Sequence, residues 1–301
     1  MEFKNIYKGA IVPMVSPFKA DYSIDSDAVS VILNSFIEND VKPFVLGTTG
    51  EASSLSSSQK TDLINTSVKA LGGKQPLLAG IGSNSIFTSI DEGKKFADLG
   101  VDALVATVPN YYPSDGTQML KWFEKLADTI PLPLFLYNIP ATTHHSIPLD
   151  IAEELSHHNN IIGIKDSEQN KERLSESLSR WKDRDDFIFL VGWAAMSAYG
   201  MQNGANGIVP SVGNLVPEVY AQLVVECENG NFEMAEKMQE QANAIAALCQ
   251  KGRNISQSIP AMKVLMSLKG LCTPEVMPPM LRMEHNEELK YKALMRDALD
   301  L

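Results

Sequence analysis

The stretch Ile161-Ile162-Gly163-Ile164-Lys165-Asp166-Ser167 decides how this chain reads. Isoleucines around one glycine make a short buried strand, and the apolar run stops abruptly at a lysine followed by polar residues. Two readings of Lys165 are open. In one, the side chain bends out to water or pairs with Asp166, because a lysine is almost never buried unpaired. In the other, a desolvated, neutral amine attacks a carbonyl and forms a Schiff base.

Seven other short apolar runs flank this one, at 10–15, 43–46, 77–81, 103–108, 134–138, 187–191 and 207–211. Helical stretches alternate with them. Asp25 or Ser26 caps one through Val29, Ile32, Leu33 and Phe36, a second follows Ser56 and stops at Gly72-Gly73, and a third spans 84–99. Strand starts recur every 20 to 35 residues or so, roughly the length of a strand, a helix and two loops. A doubly wound open sheet shares that alternation. The count of eight, and the lack of Gly-x-Gly-x-x-Gly after the first strand, favour a closed barrel. Beyond about 225 the pattern turns all-helical, at 232–248, 259–268 and 286–299, interrupted by Pro274, Pro278 and Pro279. The expectation is an α/β chain: a catalytic (β/α)8 TIM barrel over 1–225 and a C-terminal helical domain over 226–301.

Composition narrows the function. The 301 residues are 44% hydrophobic and carry a net charge of −11. That charge argues against nucleic acid and anionic membrane surfaces as partners, since both are bound through clustered Lys and Arg. No apolar run nears the roughly 20 residues that span a bilayer, and Met1-Glu2-Phe3-Lys4-Asn5 lacks a signal-peptide layout, so a cytoplasmic protein is expected. Cys227, Cys249 and Cys272 are odd in number and far apart. They read as reduced and mostly buried rather than as a disulfide or zinc framework.

In such a barrel the chemistry lies at the C-terminal ends of the strands. Those ends carry Ser16, Thr48, Thr49, Tyr111, Tyr137, Asn138, Lys165, Ser211 and Asn214. They offer one amine, two phenols and several hydroxyls, and neither a metal nor a cofactor is expected. The histidines, His144-His145, His157-His158 and His285, do not form a converging ligand set. Gly47-Thr48-Thr49-Gly50-Glu51 is either a plain tight turn or a short anion cradle of N–H groups and hydroxyls suited to a carboxylate. Glu51 reads as a structural acid holding that loop. Tyr137 is either packing at the barrel edge or a proton relay to a substrate carbonyl. Tyr111 and Tyr112 suit an interface.

Four strand ends carry a family resemblance: Gly47-Thr48-Thr49-Gly50-Glu51, Pro109-Asn110-Tyr111-Tyr112-Pro113, Tyr137-Asn138-Ile139-Pro140 and Gly163-Ile164-Lys165-Asp166. In order and spacing the chain resembles the dihydrodipicolinate synthase and N-acetylneuraminate lyase superfamily. The resemblance implies a homotetrameric barrel enzyme working through a lysine Schiff base with pyruvate or another 2-oxo acid. It makes Lys165 the Schiff-base amine and Tyr137 the proton donor and acceptor. Thr48 and Thr49 would hold the 2-oxo acid carboxylate, and Thr48 would link Tyr137 to Tyr111 reaching in from a neighbouring subunit. Ser211 and Thr142 complete the expected substrate contacts.

Subfamily markers are missing. The synthases carry an arginine two residues after the proline of Tyr-Asn-x-Pro, where this chain has Thr142. The sialate lyases place acids after the seventh-strand glycine, where this chain has Trp193-Ala194-Ala195. His144 and His145 follow Thr143 where synthases usually have glycine, either recognising an anion or simply exposed. The resulting reading is a class I lyase joining or releasing a 2-oxo acid and an aldehyde, on a 2-oxo-3-deoxy sugar acid or a small hydroxy-oxo acid. Dihydrodipicolinate synthase is the alternative, a sugar-acid dehydratase a third, and a non-catalytic 2-oxo-acid-binding protein the reading from another class.

Overall fold

The computed structural model describes residues 6–298. Its eight strands are β1 Gly9–Pro13, β2 Lys42–Val45, β3 Leu78–Gly80, β4 Ala103–Thr107, β5 Leu134–Asn138, β6 Ile161–Asp166, β7 Ile188–Val191 and β8 Gly207–Ile208. All pair in parallel, each with its neighbours in sequence, and β1 with β8, so the barrel closes without an edge. The helices that follow the strands are α1 Ser26–Glu38, α2 Ser57–Leu71, α3 Ile86–Leu99, α4 Gly116–Ala127, α5 Leu149–Leu155, α6 Lys171–Trp181, α7 Ser197–Gln202 and α8 Pro217–Glu228. Three more, α9 Phe232–Gln250, α10 Ile255–Leu268 and α11 His285–Ala298, form the C-terminal helical region. The N-terminal reading at 1–5 and the expected helix end at Leu299 lie outside the described residues.

Local chemistry explains the bounds. Ser56 and Gln59 form a reciprocal capping box at the start of α2, and Gly72 ends it with a left-handed φ of 54°. The apolar run suggested that α10 begins at 259, yet Asn254 and Gln257 make another capping box and start it at Ile255. Pro210 has no N–H for the ladder, so β8 stops short of the expected 211 and a 3₁₀ turn, Ser211–Asn214, takes over. The eighth barrel helix continues to Glu228, past the expected boundary at 225.

Two apolar layers hold this arrangement. Ile11, Phe44, Leu78, Val105, Phe135 and Leu190 fill the barrel interior, while residues of the opposite parity, such as Val12, Val45, Leu104 and Leu136, pack outward against the helices. Helix α9 is tied to the turn after β7: Gln239 accepts from the N–H of Ala198 at 2.9 Å and donates to the carbonyl of Ala194 at 3.1 Å. That docking brings C-terminal residues to the mouth of the barrel.

Candidate active site

Lysine enters the barrel because β6 carries a bulge. Its pairing with β5 steps from Leu134↔Ile161 to Phe135↔Gly163, leaving Ile162 as an extra residue. Strict alternation would put Ile162 and Lys165 on opposite faces. The bulge resets the parity, so Ile162 joins the interior cluster and Gly163 and Lys165 also face inward. Gly163 has to be glycine: an added Cβ would stand 2.6 Å from the Phe135 ring and 2.5 Å from the carbonyl of Ile188.

The same register aligns Tyr137 with Lys165 and Asn138 with Asp166. Lys165 is 4% exposed, and its Nζ lies 3.8 Å from the centre of the Tyr137 ring and 5.0 Å from that of Phe44. The pairing with Asp166 that the sequence left open is not made. The Asp166 carboxylate instead points to the helix layer, where it accepts from Arg173 Nε at 2.7 Å and Asn138 Nδ2 at 2.9 Å. Burial pushes its carboxyl up, against the pull of Arg173. Among the described residues no carboxylate forms an ion pair with Lys165.

The threonine loop arches from the end of β2 to the same spot. Leu46 and Glu51 bracket it in left-handed backbone, with φ of 56° and 58°. The hydroxyls of Thr48 and Tyr137 are 3.3 Å apart, and Thr49 is buried beside them. None of the hydrogen bonds among the described residues uses the N–H of Thr48 or Thr49. Glu51 does hold the loop. Its carboxylate meets Lys263 Nζ of α10 at 2.5 Å and accepts from the N–H of Met277 at 2.7 Å. Burial pushes the Glu51 carboxyl up and the Lys263 ammonium down, each opposed by the other's charge.

These groups open on a cavity of about 590 Å³ bounded by Thr48, Thr49, Tyr137, Lys165, Trp193 and Ser211. Thr142 is not in it. It lines an adjoining recess of about 290 Å³ that shares Thr48 and Tyr137 with the cavity, and its hydroxyl donates to the carbonyl of Ile139. Tyr111 is not brought to Thr48 within the chain. It stands 74% exposed, edge-on to Tyr112 with centroids 4.9 Å apart, its N–H held by Asn84 Oδ1.

Three other strand-end residues are structural. Asn138 donates to Asp166 and Glu168 and accepts from the N–H of Ile147. Asn214 joins β8 to β1 by accepting from Val15 and donating to the carbonyl of Pro13. Ser16 donates to the carbonyl of Gly50 at 2.6 Å. His144 is exposed in left-handed backbone, φ 61°, where a glycine would fit with less strain. The His145 ring bonds the carbonyl of Thr143, and neither histidine lines the cavity.

The strand-end residues read from the sequence account for only five of the 26 residues of the cavity wall, Thr48, Thr49, Tyr137, Lys165 and Ser211. Asn243, Gln250, Lys251, Arg253 and Ser258 reach it from α9, α10 and the turn between them, and Gln169 from the loop after β6. The only sequence signal was the Lys251-Gly252-Arg253-Asn254 turn ahead of a capping box.

The profile of the dihydrodipicolinate synthetase family matches residues 6–298. A 4-hydroxy-tetrahydrodipicolinate synthase of Methanosarcina acetivorans is 30% identical over 287 residues, covering 95% of this chain and 96% of that protein. Dihydrodipicolinate synthase of Bacteroides thetaiotaomicron superposes with a TM-score of 0.91 at 30% identity, covering 97% of this chain and 99% of that one. The prophage protein YagE of E. coli K12, solved with pyruvate, shares the fold with a TM-score of 0.91 at 24% identity, over 98% and 99% of the two chains. With a closed barrel, a buried strand-end lysine and a profile match over all the described residues, this chain belongs to the dihydrodipicolinate synthetase family and is a lyase of the class I aldolase type.

Proposed function

We propose that this lyase joins pyruvate to an aldehyde or releases it, acting on a 2-oxo-3-deoxy sugar acid or a small hydroxy-oxo acid. The observation that carries this reading is the Lys165 amine, buried 3.8 Å from the Tyr137 ring in a cavity that both threonines line. The carboxylate of the 2-oxo acid accepts from the hydroxyls and unused N–H groups of Thr48 and Thr49, which holds C2 over the amine. Lys165 adds to C2, water leaves, and the iminium becomes an electron sink. The Tyr137 hydroxyl gives its proton to the departing water, and the phenolate left behind takes the proton of the C4 hydroxyl; the C3–C4 bond breaks, and its electron pair forms an enamine as the aldehyde departs. Protonation at C3 and hydrolysis then release pyruvate and restore the amine.

In this reading Tyr111 is supplied by a neighbouring copy in a homotetramer, and its exposure beside Tyr112 suits a contact between chains. The three free cysteines fit a reducing compartment, the cytoplasm. A second reading, 4-hydroxy-tetrahydrodipicolinate synthase, is favoured by the name of the relative at 30% identity. Against it stands Thr142, uncharged and outside the lysine cavity.

Borohydride reduction with pyruvate, read by intact mass, tests the chemistry. An adduct is expected in the parent and none in Lys165→Ala. Turnover with a panel of aldehydes, aspartate semialdehyde included, separates the two substrates, and an adduct without turnover on any of them favours a binding protein.

A further inference from the structure

The charge of the cavity wall runs against that of the chain. Acids outnumber bases 37 to 26 overall, and at that proportion about three acids would be expected among the 26 residues of the wall. The wall has none. It carries three cations, Lys165, Lys251 and Arg253.

Two of these cations take no part in the chemistry proposed above. Lys251 and Arg253 lie on the turn between α9 and α10, and among the described residues neither forms an ion pair with a carboxylate. That turn is well anchored. The N–H of Arg253 bonds the carbonyl of Gln250 at 3.0 Å, Asn254 caps α10, and Gln250 Nε2 donates to Ser211 Oγ at 3.1 Å. The Arg253 guanidinium lies half-buried over the Tyr291 ring, 5.2 Å from its centre. This cation–π contact holds the head group in place, and its N–H groups, which make no hydrogen bond or ion pair to other described residues, are open to an oxyanion. Space is also available. A three-carbon 2-oxo acid has six heavy atoms, and at the roughly 30 Å³ that one water takes in the liquid it fills at most about 180 Å³.

We propose that Arg253, assisted by Lys251, forms a second anion subsite of the lysine cavity, so that the aldehyde partner carries a carboxylate or phosphate of its own. The proposal rests on the Schiff-base reading above and adds the charge of the second substrate, set by a residue of the C-terminal helical region. A neutral polyhydroxylated partner, which Gln169 and Asn243 would suit, is the competing occupant.

The test has two stages in the full-length parent, Arg253→Gln and Arg253→Lys, with unchanged thermal unfolding as the control for folding. Borohydride trapping with pyruvate comes first, and failure in the parent refutes the Schiff-base reading together with this one. Given trapping, kcat and KM are measured with pyruvate and glyoxylate, glyceraldehyde 3-phosphate or neutral glyceraldehyde; the first two separate a carboxylate from a phosphate partner. One charged aldehyde is expected to be used best. Arg253→Gln should raise its KM roughly ten- to a hundred-fold, the worth of one charge-assisted hydrogen bond. Arg253→Lys should recover part of that loss, and half-saturation by pyruvate in trapping should move less than about twofold. The proposal is overturned if glyceraldehyde is used as well as the charged aldehydes, if neither charged aldehyde turns over despite the adduct, or if Arg253→Gln leaves the preference unchanged.

Discussion

Replacing Lys263 by methionine removes the cation that fastens the threonine loop to α10. The side chain is fully buried, and its Nζ meets Glu51 at 2.5 Å and donates to the carbonyls of Ser16 at 2.8 Å and Glu275 at 2.7 Å. Breaking a buried pair on one side costs about 3–5 kcal/mol, because the other charge stays behind without a partner. Here two carbonyls also lose their donor, so about 4 kcal/mol or more is expected. At roughly 2–4 °C per kcal/mol for a chain of this size, Tm should fall by roughly 8–15 °C. Burial already raises the Glu51 carboxyl, and losing Lys263 removes the main opposing charge. A raised carboxyl contributes stability below its unfolded value, near 4.5, and loses it as pH rises through the folded value. The deficit of Lys263→Met should therefore be smaller at pH 5.5 than at pH 8, and Glu51→Gln in the same chain should recover about half of it. Urea unfolding followed by tryptophan fluorescence at both pH values measures the deficit, its pH dependence and the recovery, and a thermal melt measures the fall in Tm. A variant within about 1 kcal/mol of the parent at pH 8, or a deficit that grows as pH falls, would refute the argument.

Tyr137→Phe keeps the ring beside Lys165 but removes the hydroxyl 3.3 Å from Thr48. It should lower kcat roughly 10²- to 10⁴-fold while pyruvate is still trapped, as stopped assays and intact mass will show. Gly163→Ala sets a methyl group against both the Phe135 ring and the Ile188 carbonyl. It should cost at least about 2 kcal/mol in urea unfolding, and Phe135→Leu should relieve only the ring's share. Burial pushes the thiols of Cys227 and Cys272 up to about 11 and that of Cys249 to about 12. Alkylation by iodoacetamide at pH 8 should be slower than in the urea-unfolded chain by about two orders of magnitude for Cys227 and Cys272 and about three for Cys249.

Much of the barrel was legible because its strands are short β-branched runs and its helices carry their own caps. Ser56 and Gly72, for example, fix α2 without help from the rest of the chain. The direction in which Lys165 points was not legible. Ile161-Ile162-Gly163 reads as an unbroken run, and only the pairing with β5 reveals the bulge that turns the lysine inward. A strand-end list also treats alternate residues alike, so Asn138 stood beside Tyr137 although the two side chains face opposite layers. Arg253 was invisible for a different reason: it reaches the cavity through the docking of α9 and α10 on the barrel mouth, a long-range contact that no local pattern encodes. Thr142 came from family position alone, and the fold of the one-turn helix Pro140–Thr143 sets it in the neighbouring recess. For the cysteines the sequence was partly right, since Cys249 is buried while Cys227 and Cys272 are only half-buried.

In the proposed reaction one amine alone among the chain's lysines, that of Lys165, condenses with the 2-oxo acid. Proteolysis after borohydride reduction with pyruvate, followed by tandem mass spectrometry, assigns the adduct to a residue. The expected result is a single modified peptide, with the added mass on Lys165. Modification of Lys251, Lys263 or surface lysines instead, or equal labelling in Lys165→Ala, would rule out Lys165 as the Schiff-base amine.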